Sequence, residues 1–339
     1  MCIRDSSRTF VKHPFVPASI KEFDSRAQEI LNIQSTGLAR RMISANTEKL
    51  IIGLSGGLDS TLAFLVCLET LKSQAIEQKN LIAVTLPGPG TSEHTLQSVH
   101  ELTESVDVKV REIKIHTAVE QHLRDIEHSG NTDTVFENAQ ARERTQVLFD
   151  LANQEAGIVV GTGDLSELAL GWCTFNADQM SNYNVNVSVP KTMIIYLVEW
   201  YAKHKASRNL ALALKRVIDT PISPELLPPE QGEIQQKTEE VIGPYELHDF
   251  FIYHFLRNGS SPTKIYHLAN LAYKEKYSQK EIQKWLKLFF ERFFSQQFNR
   301  TTLPPGPKIG SVSLSPRGDW RMPDEASATI YTKEIEALI

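Results

Sequence analysis

Two adjacent glycines, two serines and an aspartate stand together in Ser55-Gly56-Gly57-Leu58-Asp59-Ser60, near the start of a 339-residue chain. Paired glycines allow a tight turn and let another group come close to the backbone. The N–H groups of such a loop, opening onto a helix N-terminus, suit an anion such as phosphate. Asp59 would weaken a bare anion site, because a carboxylate repels phosphate. A divalent metal between the two removes that objection. The stretch reads as a nucleotide-phosphate site. The ordinary alternative is a strand-to-helix turn with Ser60 or Asp59 as N-cap. The other common phosphate loop needs Gly-Lys-Ser/Thr, and no lysine follows these glycines.

The flanking residues say what must position this loop. Leu50, Ile51, Ile52 and Leu54 form a short apolar run, as in a strand buried on both faces. Leu62, Leu65, Val66 and Leu68 then recur at helical spacing. Further along, 80–86, 108–115 and 157–161 read as strands, with helices over 22–42 (interrupted at Gly37), from Thr91 or Ser92 to about Ser105, and over 138–153. Alternating strands and helices predict an α/β fold with a doubly wound, mostly parallel sheet. Ligands of such sheets bind beyond the carboxyl ends of the strands, where Ser55–Ser60, Pro87–Thr91 and Thr162–Glu167 would converge. The C-terminal part, from about residue 243, reads as a helical extension. There Ser278 and Glu281 form a capping box, followed by Ile282, Trp285, Leu286, Phe289, Phe290, Phe293 and Phe294 on one helical face. That stripe reads as core or dimer interface, and the proline-rich segment 304–323 as an ordered surface wrap or partner contact.

Composition excludes more than it identifies. Net charge of −5 gives no support for a nucleic-acid binder, and no apolar run is long enough for a membrane span. The expected compartment is the cytoplasm. Cys2, Cys67 and Cys173 show neither metal-ligand nor disulfide spacing. Residues 1–20 read as a non-native start, Met1 to Ser6, plus a linker remnant, with a single domain over 21–335.

Ser-Gly-Gly-Leu-Asp-Ser after a strand resembles the pyrophosphate loop of the ATP pyrophosphatases. Other stretches narrow this: Asn138–Arg144, Gly161–Asp178, Tyr183–Thr192, Thr220–Pro229, Gly243–Phe251 and Ser313–Met322. Together, over roughly residues 13–325, they resemble the synthetase domain of the glutamine-dependent NAD synthetases. That resemblance implies a Rossmann-like fold of the adenine nucleotide alpha hydrolase kind. It also implies ATP and Mg²⁺, and amidation of deamido-NAD to NAD through an adenylated nicotinate, with release of pyrophosphate and AMP. ATP would meet Gly53, Leu54, Ser55, Gly56, Gly57, Leu58, Asp59, Ser60, Thr162, Lys191 and Ser223, and Mg²⁺ would be held by Asp59 and Glu167. Asn138, Arg142, Trp172 and Asp178 would hold deamido-NAD. Asp59, Lys191 and Asp178 would carry the chemistry: Lys191 at the phosphates, Asp178 orienting the incoming amine. A homo-oligomer is implied as well.

Two departures stand out. Ala177 replaces the family's usual glycine, and Asn299 stands where a lysine is usual, with Arg300 beside it as a possible substitute. The family's glutaminase domain, with its Glu–Lys–Cys triad, has no counterpart here, so ammonia is expected to come from a domain missing from this chain. The nearest alternative is another ligase with the same loop, such as a GMP synthetase; the Thr162–Asp178 constellation argues against it. A non-catalytic nucleotide-binding module is the alternative from another class, opposed by the joint presence of Asp59, Glu167 and Lys191. Releasing nitrogen from glutamine needs an activated nucleophile with a supporting base, and none of the three cysteines has one at usable spacing. The expected outcome is NAD formation by the purified chain with ammonium chloride and none with ammonia-free glutamine; comparable rates with both would reveal an overlooked glutaminase site.

Overall fold

Leu50, Ile51 and Ile52 alternate between two apolar layers, and the fold is built outward from that alternation. The structure, a computed structural model, describes residues 10–220 and 238–338; Met1–Ser6, Cys2 and Ser223 lie outside them. Helix α1 (Ile20–Ser44) precedes β1 (Leu50–Gly53), α2 (Leu58–Ser73), β2 (Leu81–Thr85), α3 (Glu93–Glu104) and β3 (Val110–Glu112). Next come α4 (His116–Asp125), α5 (Thr134–Glu155), β4 (Ile158–Gly161), α6 (Leu165–Leu170), β5 (Tyr183–Asn184), α7 (Lys191–His204) and α8 (Arg208–Asp219). The C-terminal part holds α9 (Thr238–Ile242), α10 (Tyr245–Ile252), α11 (Pro262–Ala272), α12 (Gln279–Ser295), α13 (Gln297–Thr301) and α14 (Thr329–Glu336).

Among the described residues the sheet has five strands in the order β3-β2-β1-β4-β5, every pair parallel. Leu50, Ile52, Ala83, Ile158 and Val160 face one layer with α1, α2, α7 and α8. Ile51, Ile82, Val84 and Val159 face the other, under α4 and α5. Both faces are covered, which is why the strand residues are apolar at consecutive positions. Among the described residues, no helix is long and apolar enough to cross a membrane.

The expected strands are all present, with the third confined to Val110–Glu112 at the sheet edge. The short β5 was not expected. Helix α5 begins at Thr134, four residues early, because Asp133 accepts hydrogen bonds from Val135 N and Phe136 N and caps it. Gly37 does not interrupt α1. A Cβ there would lie 2.5 Å from the Tyr183 hydroxyl, so the glycine makes room for β5 against the helix.

The aromatic stripe of α12 is core: Ile282, Leu286, Phe289, Phe290 and Phe293 are fully buried beside Phe250, Phe251 and Tyr273. The same cluster takes in Leu165, Ala169 and Leu170, so the C-terminal helices form the backing of α6. The proline-rich segment is an ordered wrap along β5. Asn184 N donates to Pro305 O at 2.9 Å, and Ser188 Oγ joins Pro307 O to Ile309 N. At Gly306 an added Cβ would stand 2.1 Å from Asn184 O, so only glycine permits this approach.

Candidate active site

The phosphate loop follows β1 directly. Gly56 has φ +79°, and a Cβ on it would lie 2.7 Å from the Thr95 carbonyl oxygen, which accounts for that glycine twice over. Ser55 and Ser60 close the loop on itself: their hydroxyls are 3.1 Å apart, and Ser60 Oγ donates to Gly57 O. The N-cap of α2 is Gly57, with no side-chain cap; Asp59 and Ser60 lie inside the helix's first turn. The simple capping role considered for them is therefore wrong. The first turn keeps donors free to meet an anion.

The loop lines one side of a cavity of about 680 Å³. Gly53, Leu54, Leu58, Asp59, Thr162 and Glu167 border the same space, and so do Asn138, Arg142, Trp172 and Asp178. Two groups singled out far apart in sequence are thus brought together. Asn138 Oδ1 accepts from Thr174 Oγ1, and Asp178 Oδ1 accepts from Thr174 N, both at 2.8 Å, so one threonine ties the two. Asp178 lines the cavity with its side chain exposed there. Desolvation by the surrounding protein pushes its carboxyl up to about 6. The Arg292 guanidinium lies 5.4 Å from the Trp172 ring and donates to Leu170 O and Gly171 O.

Lys191 is the exception. It is 1% exposed and lies behind the cavity wall, not on it. Its Nζ sits 2.6 Å from Asp59 Oδ2, 2.6 Å from Asp164 Oδ2 and 2.9 Å from Glu167 Oε1. Burial lifts the Asp59 carboxyl to about 7 against the pull of Lys191, and raises Glu167 as well. Burial pulls Lys191 the other way, but Asp164, Asp59 and Glu167 outweigh it and hold the ammonium well above its ordinary value. Asp164, inside a quoted motif but given no role, is thus the third anion of the cluster. It also caps α6, accepting from Ser166 N and Glu167 N.

The donor set fits a hard divalent ion. Oxygen atoms of Asp59, Asp164 and Glu167 lie within 4.8 Å of one another, and Asp59 Oδ1 is enclosed with no hydrogen-bond partner among the described residues.

Sequence reasoning missed the residues that hold this cluster in place. Asn186, fully buried, donates from Nδ2 to Asp59 O at 2.9 Å and to Thr162 O at 3.0 Å, pinning α2 to the end of β4. Asp249 on α10 is also fully buried. It accepts from Ser166 Oγ, from Thr192 N at 2.9 Å and from Thr192 Oγ1 at 2.6 Å, while Ser166 Oγ accepts from Lys191 N. The only visible signal was a polar residue within an apolar run: Asn between Val185 and Val187, Asp before Phe250 and Phe251. Arg300 does not replace the family's lysine. It is 1% exposed and donates to the carbonyls of Leu168, Ala169 and Phe293, so its charge serves helix ends; Asn299 borders the cavity. Neither described cysteine is activated: burial raises both thiols.

Three kinds of likeness bear on this arrangement. The family described as NAD synthase matches residues 30–289. A glutamine-dependent NAD(+) synthetase of Mycobacterium leprae (strain TN) is 41% identical over a 354-residue alignment that takes in 97% of this chain and 52% of that protein. One of Thermotoga maritima is 26% identical, over 88% of this chain and 48% of its own length. Among solved structures, the glutamine-dependent NAD(+) synthetase from Cytophaga hutchinsonii has a TM-score of 0.72 at 18% identity, covering 92% of this chain and 56% of that one. An NMN synthetase from Francisella tularensis has a TM-score of 0.55 at 24% identity, covering 78% and 97%. At those identities the solved structures speak to the fold. The chain spans about half the length of the curated relatives it matches.

Asp249 generates a prediction. Asp249→Asn turns an NH₂ toward one set of its donors and should cost about 1–3 kcal/mol in chemical unfolding. Burial raises the folded carboxyl from 3.8 to about 6, so the unfolded state gives up this proton first as pH rises. Wild-type stability therefore falls through that window, and the deficit of Asp249→Asn should narrow across it. A variant as stable as wild type throughout would remove the clamp.

Proposed function

The chain belongs to the NAD synthase family, and from that premise we propose that it amidates deamido-NAD to NAD at the expense of ATP. The observation that carries this reading is a single cavity bordered by both the Ser55–Ser60 loop and Asn138, Arg142, Trp172 and Asp178. A nicotinate carboxylate oxygen attacks the α-phosphorus of ATP, and pyrophosphate leaves as the bond to the β-phosphate breaks. Charge accumulates on that leaving group, opposite the loop's serines, glycines and the open N-terminus of α2, which are preorganised to receive it. Ammonia then adds to the acyl carbon and AMP departs with its electron pair, leaving the amide. Asp178, ionised above about 6, can accept a hydrogen bond from the incoming amine and take up its surplus proton.

Thr162 and, outside the described residues, Ser223 are assigned to ATP. Arg142 can fork onto a phosphate of the dinucleotide, Trp172 offers a face to the pyridine ring, and Asn138 supplies an amide. Asp59, Asp164 and Glu167 would hold Mg²⁺, which when bound screens the charge of the triphosphate. A homo-oligomer, and ammonia delivered by a glutaminase domain, are the partners that the family likeness supports. The proposed domain covers 21–335.

The test is pyrophosphate release from ATP in the presence of Mg²⁺ and deamido-NAD, followed separately from NAD formation. Asp59→Asn should slow pyrophosphate release by about 10²-fold or more at limiting Mg²⁺, the usual scale for losing one such electrostatic group. Asp178→Asn should spare that step and impair amide formation. Equal losses in both steps for Asp178→Asn, or near-full turnover for Asp59→Asn, would remove the assigned roles.

A further inference from the structure

The Lys191 ammonium is surrounded by three carboxylates. The oxygens facing Lys191 Nζ are Asp59 Oδ2, Asp164 Oδ2 and Glu167 Oε1, at 2.6, 2.6 and 2.9 Å. Three carboxyl groups face a single ammonium, so the cluster holds more acidic groups than Lys191 alone pairs. Hard oxygens at this spread are what Mg²⁺ or Mn²⁺ takes. Among the described residues two further atoms have no hydrogen-bond partner: the enclosed Asp59 Oδ1 and the hydroxyl of Tyr245, a residue 2% exposed whose ring centroid lies 5.1 Å from Nζ. Lys191 itself does not line the cavity; it reaches it only through Asp59 and Glu167, which do.

We propose that Lys191 is the cation this cage holds when no metal is present, and that a divalent ion enters by exchange with it. Asp164 then serves the ion as a third carboxylate beside Asp59 and Glu167, and the displaced ammonium moves into the adjoining cavity. A metal taking Asp59 Oδ2, Asp164 Oδ2 and Glu167 Oε1 would compete with the ammonium for those oxygens. The side chain can make this move. Lysine carries its charge on a flexible four-carbon stem, and Asp59 and Glu167 stand between Nζ and the cavity. A phosphate group in the cavity would stabilise the displaced ammonium. Metal and nucleotide should therefore each strengthen the binding of the other. The proposal takes from the family reading only the nature of the cavity's ligand.

The experiment uses Mn²⁺ alone, without nucleotide or substrate, and follows free Mn²⁺ by electron paramagnetic resonance against the full chain. Lys191→Met should bind Mn²⁺ roughly tenfold tighter than wild type or better, and adding Asp164→Asn should reverse a comparable part of that gain. Equal affinity in wild type and Lys191→Met overturns the exchange; no effect of Asp164→Asn overturns the third ligand. Should Lys191→Met fail to fold, wild type answers by acylation of lysines with a water-soluble reagent and peptide mass spectrometry. Lys191 should be protected without metal and should become reactive as Mn²⁺ rises into the millimolar range. Labelling that stays unchanged overturns the proposal. Because no substrate is present, failure here is distinct from failure to form NAD.

Discussion

Neither the Lys191 ammonium nor the Asp164 carboxylate can be buried alone in this fold. Taking a single ion out of water costs several kcal/mol or more, and removing one partner of a buried pair leaves that cost uncompensated. Lys191, Asp59, Asp164 and Glu167 solve the problem jointly, at separations of 2.6–2.9 Å. The solution has a structural consequence. Asp59 lies in the first turn of α2, Asp164 and Glu167 at the start of α6, and Lys191 at the start of α7, so the cluster joins the openings of three helices at one rim of the sheet.

The rest of the molecule can be understood as what holds those three openings in register. Parallel strands β1 and β4 place the loop after Gly53 beside the loop after Gly161. Asn186 bonds to the backbone of both. From behind, Asp249 fastens Ser166 and Thr192, and the phenylalanine-rich cluster of α10–α12 packs under Leu165, Ala169 and Leu170. The helical C-terminal part thus does more than cover the sheet: it supplies the wall against which the charged residues are set. On the open side the same rim borders the cavity that Asn138, Arg142, Trp172 and Asp178 complete.

How much of this could be read from the sequence depended on range. The Gly56-Gly57 loop, the apolar strands and the capping box at Ser278 act over a few residues, and each stands where its local pattern placed it. Beyond the Ser55–Ser60 loop, the site residues proposed between Gly53 and Lys191 were paired by a family resemblance. With Ser223 lying outside the described residues, the rest converge on one cavity or, for Lys191, just behind it. What local reasoning could not reach were partners distant in sequence. Asp249 meets Ser166 across 83 positions, and Asn186 meets Asp59 across 127; neither separation leaves a periodic trace. Gly37 was taken for a break because its reason, the Tyr183 hydroxyl, belongs to another element. Arg300 was considered as a substrate contact on charge alone, yet burial turned that charge to backbone carbonyls.

The central claim is that Lys191 is held as an ammonium by three carboxylates. Nuclear magnetic resonance of protein labelled with ¹⁵N at lysine Nζ tests it directly, because exposed lysine ammonium protons exchange with water too fast to be seen at neutral pH. One slowly exchanging NH₃⁺ signal, absent from a Lys191→Met spectrum and weakened by Asp164→Asn, is the predicted result. A neutral-pH spectrum with no protected ammonium, or one unchanged by Lys191→Met, would contradict it.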